Sequence, residues 1–112
     1  MLMISIHTDE AGENTARIIE VDGEVVVSMD TFIEGVVVPP DAEVVEIGGR
    51  YKLYVVRRDR PEGRIEFLVY DNGTKRQLIS ARYIGSIRGE DAVKLLKGLL
   101  DAIAKTYDLS KI

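Results

Sequence analysis

The sequence predicts an α+β fold that is mainly antiparallel β. It is a curved meander sheet or partial barrel of seven to eight strands, with one C-terminal amphipathic helix. Three observations lead there. Tight-turn signals recur between β-branched runs, at Asp22-Gly23, Gly48-Gly49 and Asp71-Asn72-Gly73-Thr74. No strand–helix–strand alternation is present, so a parallel sheet is not expected. The hydrophobic period then changes from two to 3.6 at Glu90.

The elements follow in order. Leu2 to His7 reads as a strand, followed by a polar stretch from Thr8 to Asn14. Thr15 to Val21 and Glu24 to Met29 flank Asp22-Gly23, where a type I′ turn needs φ > 0 at both central residues. Phe32 to Val38 reads as a further strand, ended by Pro39-Pro40, which donate no ladder hydrogen bond. Glu43 to Ile47 and Arg50 to Arg57 flank Gly48-Gly49, and Arg58 to Gly63 reads as a charged hairpin tip. Arg64 to Tyr70 and Lys75 to Ile84 are the last strands. A helix over about 90–107 places Ala92, Val93, Leu95, Leu96, Leu99, Leu100, Ile103, Ala104 and Tyr107 on one stripe. Glu90 and Asp91 in its first turn and Lys105 near its end complement the helix dipole. The width of the stripe predicts that Leu96, Leu99, Leu100 and Ile103 are buried against the sheet. Gly98 within the helix reads either as a solvent-side glycine or as a point of close backbone approach.

At 112 residues the chain is expected to form a single domain over 1–112. It has no cysteine, which excludes disulfides, thiolate metal sites and cysteine nucleophiles, and one histidine, which excludes a multi-histidine metal site. No apolar run approaches the ~20 residues of a transmembrane helix. Met1 to His7 lacks a basic leader region, so a cytoplasmic location is expected. One glutamine, two asparagines and many charges match the composition of a thermophile. The net charge of −4 weighs against a dedicated duplex-DNA binder. Its distribution is uneven: residues 1–50 carry two bases and eleven acids, and residues 51–112 carry thirteen bases and eight acids. That split reads either as a dipolar molecule or as halves that interleave and neutralise each other.

Catalytic chemistry is hard to assemble from these residues. There is no P-loop, and Gly48-Gly49-Arg50 is too short for a nucleotide cradle. His7 has no serine or acid in a triad context. Asp9, Glu10 and Glu13 do not match a calcium-loop spacing and read as a solvated cluster. Asn72-Gly73-Thr74 fits a glycosylation sequon but reads first as a turn. No catalytic residue, cofactor or metal site is expected, and the chain is read as a non-enzyme.

One constellation stands above background. Alternate strand residues share a face. One set, Tyr51, Leu53, Val55, Ile65, Phe67, Val69, Ile79, Ala81 and Tyr83, reads as the core face. The other mixes bases with aromatic and apolar groups: Lys52, Tyr54, Arg64, Leu68, Tyr70, Arg76, Leu78 and Arg82. Such a face suits a protein partner, a single-stranded nucleic acid, or an ordinary half-exposed sheet.

The size, the composition and the order of many strands before the helix over about 90–107 resemble an arcadin, one of the small archaeal proteins associated with an actin homologue. That resemblance implies an accessory of an actin-like filament, in an archaeon, and carries no residue onto a numbered position. The alternative resemblance is to small archaeal single-stranded-DNA-binding proteins. The expected function is a protein-binding or assembly module; the alternative is a single-stranded nucleic-acid binder on the basic and aromatic face. A homodimer through a sheet surface is also expected, motivated by the charge halves and by Val25-Val26-Val27 and Val36-Val37-Val38, which look too apolar for one helix to cover.

Overall fold

The structure is a computed structural model that describes residues 2–8 and 15–112. The acidic cluster Asp9, Glu10 and Glu13 lies outside the described residues. Seven strands form one open antiparallel sheet: β1 (Leu2–Thr8), β2 (Thr15–Val21), β3 (Glu24–Glu34), β4 (Glu43–Gly48), β5 (Tyr51–Arg60), β6 (Gly63–Asp71) and β7 (Arg76–Gly85). The spatial order is β1-β2-β3-β7-β6-β5-β4, so two meanders meet where β3 pairs with β7. The sheet does not close into a barrel. Helix α1 (Gly89–Thr106) and a 3-10 turn (Leu109–Lys111) complete the chain.

Local chemistry explains most boundaries. Asp22 and Gly23 both have positive φ, 50° and 83°, as a type I′ hairpin requires. Asn72 Oδ1 accepts from the backbone N–H groups of Thr74 and Lys75, and Asp71 Oδ1 accepts from Gly73 N–H, which builds the third turn. The second turn sits one residue later than expected. Gly48 pairs with Tyr51 across Gly49-Arg50, and the register shifts between Glu46 and Gly48. The tip between β5 and β6 is also shorter than expected, because β5 continues to Arg60 and turns at Pro61-Glu62.

Two further expectations are corrected. Residues 32–38 are not a separate strand: β3 runs unbroken to Glu34 through a register shift opposite β7. Val36 to Val38 instead belong to the segment that carries the chain from mid-sheet to the far edge. Val37 makes a parallel bridge to Asp108, with Val37 N–H donating to Tyr107 O at 2.7 Å and Leu109 N–H donating to Val37 O at 3.0 Å. The core set is corrected too. Ile65, Phe67, Val69, Ala81 and Tyr83 are buried as expected, but on β5 the core residue is Val56, while Tyr51, Leu53 and Val55 take the opposite face. The register decides this, since Val56 sits opposite Phe67 and Tyr54 opposite Val69.

One face of the sheet is covered twice. Helix α1 lies over β2, β3 and β7, and buries Ala92, Leu96, Leu100 and Ile103; Leu99 is half-buried at the margin. The crossing segment and the chain's last residues complete the core with Val36 and Leu109, and with Val38, Ala42 and Ile112 packed against it. Arg58 on β5 binds Asp41 at 2.9 Å and donates to Ile112 O at 3.2 Å, tying both segments to the sheet. Gly98 faces open space, in keeping with a solvent-side glycine. Tyr83 is fully buried and pins the end of the sheet. Its hydroxyl donates to Glu62 O at 2.6 Å and accepts from Ile87 N–H at 3.1 Å. The ring lies directly over Gly63 and Gly85, where an added Cβ would collide with it.

The two charge halves interleave. β4 from the acidic half flanks β5, and three ion pairs join bases of the second half to acids of the first: Arg57–Glu43, Arg58–Asp41 and Lys75–Glu34. The charge asymmetry therefore gives no motive for self-association.

Candidate interaction surface

The eight residues read as one basic and aromatic face do not share a face. Lys52, Tyr54, Arg76 and Leu78 lie on the helix-covered side; Arg64, Leu68, Tyr70 and Arg82 lie on the bare side. Two physical causes divide them. On β5 the register puts Lys52 opposite Asp71 and Tyr54 opposite Val69, in line with the core. On β7 a bulge lies between Leu78 and Ser80, opposite Val69 and Leu68. Ile79 is the extra residue, and it reverses the alternation, so Arg76 and Leu78 fall on the side opposite Ser80 and Arg82. Leu78 is fully buried in the core. Arg76 sits 4.8 Å over the Tyr54 ring, donates to its hydroxyl at 3.2 Å and pairs with Asp71 at 3.3 Å. This group braces the covered side.

On the bare side the strand arginines are neutralised within the sheet. Arg57 pairs with Glu43 and with Glu66, the latter at 2.8 Å. Arg82 approaches the same Glu66 at 3.9 Å, Arg64 pairs with Asp59 at 2.9 Å, and Arg17 pairs with Asp30 at 3.0 Å. Hydrogen bonds to Glu43 and then Glu66 push the Arg57 guanidinium further above its ordinary range, so it stays charged throughout. These exposed pairs add little stability. Their effect is on potential: a phosphate would have to compete with a carboxylate at each arginine.

Apolar groups occupy the rest. Register alignment places Leu2 beside Val21, Ile4 beside Ile19, and Ile19 beside Val26, which in turn neighbours Ile84. Ile6 completes a contiguous patch on β1, β2, β3 and β7. Leu2, Ile4 and Ile6 are 59%, 66% and 69% exposed, far beyond what a core strand shows. Sequence reasoning missed this patch. The alternation of Leu2, Ile4 and Ile6 is visible, but nothing in it says which face the helix covers, and these three fall on the other one. At the far end of the same face, Tyr51 and Tyr70 stack with centroids 6.2 Å apart, and Arg50 lies 5.6 Å over Tyr51.

Among the described residues no group of three or more His, Asp or Glu side chains is placed to hold a metal ion. No helix among the described residues is long and apolar enough to cross a membrane. Comparison with protein-family models, with curated proteins and with solved structures found no match.

Proposed function

We propose that the chain is a non-enzymatic protein-binding and assembly module that works through the bare face of its sheet. The observation that carries this reading is the contiguous patch of Leu2, Ile4, Ile6, Ile19, Val21, Val26 and Ile84 beside arginines already matched by acids. Exposed apolar patches of this kind mark interaction sites on soluble proteins. The resemblance to arcadins makes an actin-like filament protein the first partner to try, in the cytoplasm of a thermophilic archaeon. Co-sedimentation with such a filament is the test, with Ile19→Asp expected to abolish it while the fold persists. Unchanged co-sedimentation of that variant would remove the patch from the reading.

A second reading is favoured by one observation, the stacked Tyr51–Tyr70 pair with Arg50 above it, which is the kind of platform on which bases stack. It makes the chain a single-stranded nucleic-acid binder. Titration with a short single strand separates the two. Phosphate binding weakens steeply with salt, because counterions are released. The protein-binding reading expects no such binding at low salt. Tight, salt-steep binding that Tyr51→Ala removes would replace it.

A further inference from the structure

The assembly reading leaves its partner open, and the free edge of the sheet names one. We propose that β1 pairs antiparallel with β1 of a second copy about a two-fold axis at Ser5, joining two sheets into one. The proposal deepens the assembly role above and rests on it.

Among the described residues, β1 has a ladder partner on one side only. All seven of its residues are exposed. It is also the one strand of the seven with no Asp, Glu, Lys or Arg, in a chain that is 30% charged. Free edges are normally blunted by charge, proline or a bulge. β1 has none of these, and its register with β2 is unbroken from Leu2 to Thr8. The opposite edge, β4, carries Glu43 and Glu46 and has a register shift.

The hydrogen-bond phase fits a two-fold. The two-residue turn at Asp22-Gly23 makes Val21 and Glu24 a hydrogen-bonded pair. Alternation outward from that pair directs the backbone groups of Met3, Ser5 and His7 to β2. Those of Leu2, Ile4, Ile6 and Thr8 therefore point to the free edge. With the axis at Ser5, Ile4 lies opposite Ile6 of the second copy and Leu2 opposite Thr8. Every outward amide and carbonyl of the strand then finds a partner. Around a two-fold each strand meets its own charges again, so an uncharged strand pairs with itself without repulsion, whereas β4 would set glutamates against glutamates. Pairing β1 with β4 would instead place two acids against an apolar strand and would not close.

Ser5 at the axis faces its own copy as a non-hydrogen-bonded pair, with Cα atoms about 4.5 Å apart. That spacing lies within disulfide reach. The chain has no cysteine of its own. Light scattering of the intact chain is therefore expected to give twice 12.5 kDa. Ser5→Cys is expected to cross-link under mild oxidation, and Ile4→Cys is not. Two double variants then read the register. Ile4→Lys with Ile6→Lys sets like charges opposite each other and is expected to leave monomers. Ile4→Lys with Ile6→Glu sets unlike charges opposite each other and is expected to retain the dimer, although it removes the same apolar groups. A monomer at every concentration, open-ended growth, or a dimer that responds equally to both double variants would each overturn the proposal. A monomer that still binds a filament through the Ile19 patch would leave the assembly reading standing alone. A dimer that binds no filament would do the reverse.

Discussion

The centre of the sheet and its β1 margin are built on opposite terms. Along β6 and β7, buried and half-exposed residues alternate, and Phe67, Val69, Leu78, Ala81 and Tyr83 are all fully enclosed. Along β1 nothing is enclosed on either side. The same backbone geometry therefore serves two ends. Where α1 and the crossing segment lie on the sheet, burial supplies stability at roughly 25 cal/mol per Å² of apolar area. Where they stop short, apolar residues contribute little to folding and stay available for contact. The difference teaches that exposure on this sheet is set by which face α1 and the crossing segment cover, and how far they reach, and not by the polarity of the strand.

The largest effect that would sharpen this contrast is expected at the helix. Leu96 is fully buried, so Leu96→Ala should lower the unfolding free energy by ~2–5 kcal/mol, as large-to-small changes in cores do. Ile4→Thr on β1 should change it by less than ~0.5 kcal/mol in dimer-free conditions. Denaturant titration of both variants measures the gap, and equal losses would break the comparison. A middle-sized effect is expected at Tyr83. Removing its hydroxyl leaves Ile87 N–H and Glu62 O without their partner, so Tyr83→Phe should cost ~1–3 kcal/mol with little loss of packing.

The smallest effect lies in the tail. The hydroxyl of Ser110 and then its backbone N–H hold the Asp108 carboxyl below its ordinary range. A depressed folded-state pKa stabilises above the unfolded value of about 3.8, and that contribution is lost as pH falls through the folded value. Carbon-detected NMR titration should find Asp108 protonating at a lower pH than a free aspartate. Ser110→Ala should raise it part of the way toward the ordinary range, since the backbone N–H of residue 110 still donates to the carboxylate.

Much of this architecture was readable from residue pattern. The stripe from Ala92 to Ile103 and the Asp22-Gly23 turn have local causes, so α1 and the first hairpins follow from short windows. The candidate surface was not readable in the same way. β5 is apolar at both parities, with Leu53 and Val55 on one side and Tyr54 and Val56 on the other, so alternation alone could not orient it. The bulge at Ile79 has no signature in its neighbours and exists only through pairing with β6 and β3. Neutralisation of the arginines depends on register as well, because Glu43 and Arg57 meet only once β4 lies beside β5.

The parallel bridge between Val37 and Asp108 has a consequence for how the chain acquires its shape. It links residues far apart in sequence, and β3 waits for β7 in the same way. Helix α1 and residues 109–112 are synthesised after every strand they cover. The β1–β3 meander thus leaves the ribosome with its apolar residues open on both sides and stays so until the rest is made. Closing that one distant strand pairing, β3 with β7, is slower than forming the five consecutive hairpins on either side of it. During that interval the uncharged first strand is the segment most prone to pair with a neighbouring chain, and its companionship with a second copy begins as a risk of folding before it serves as a contact.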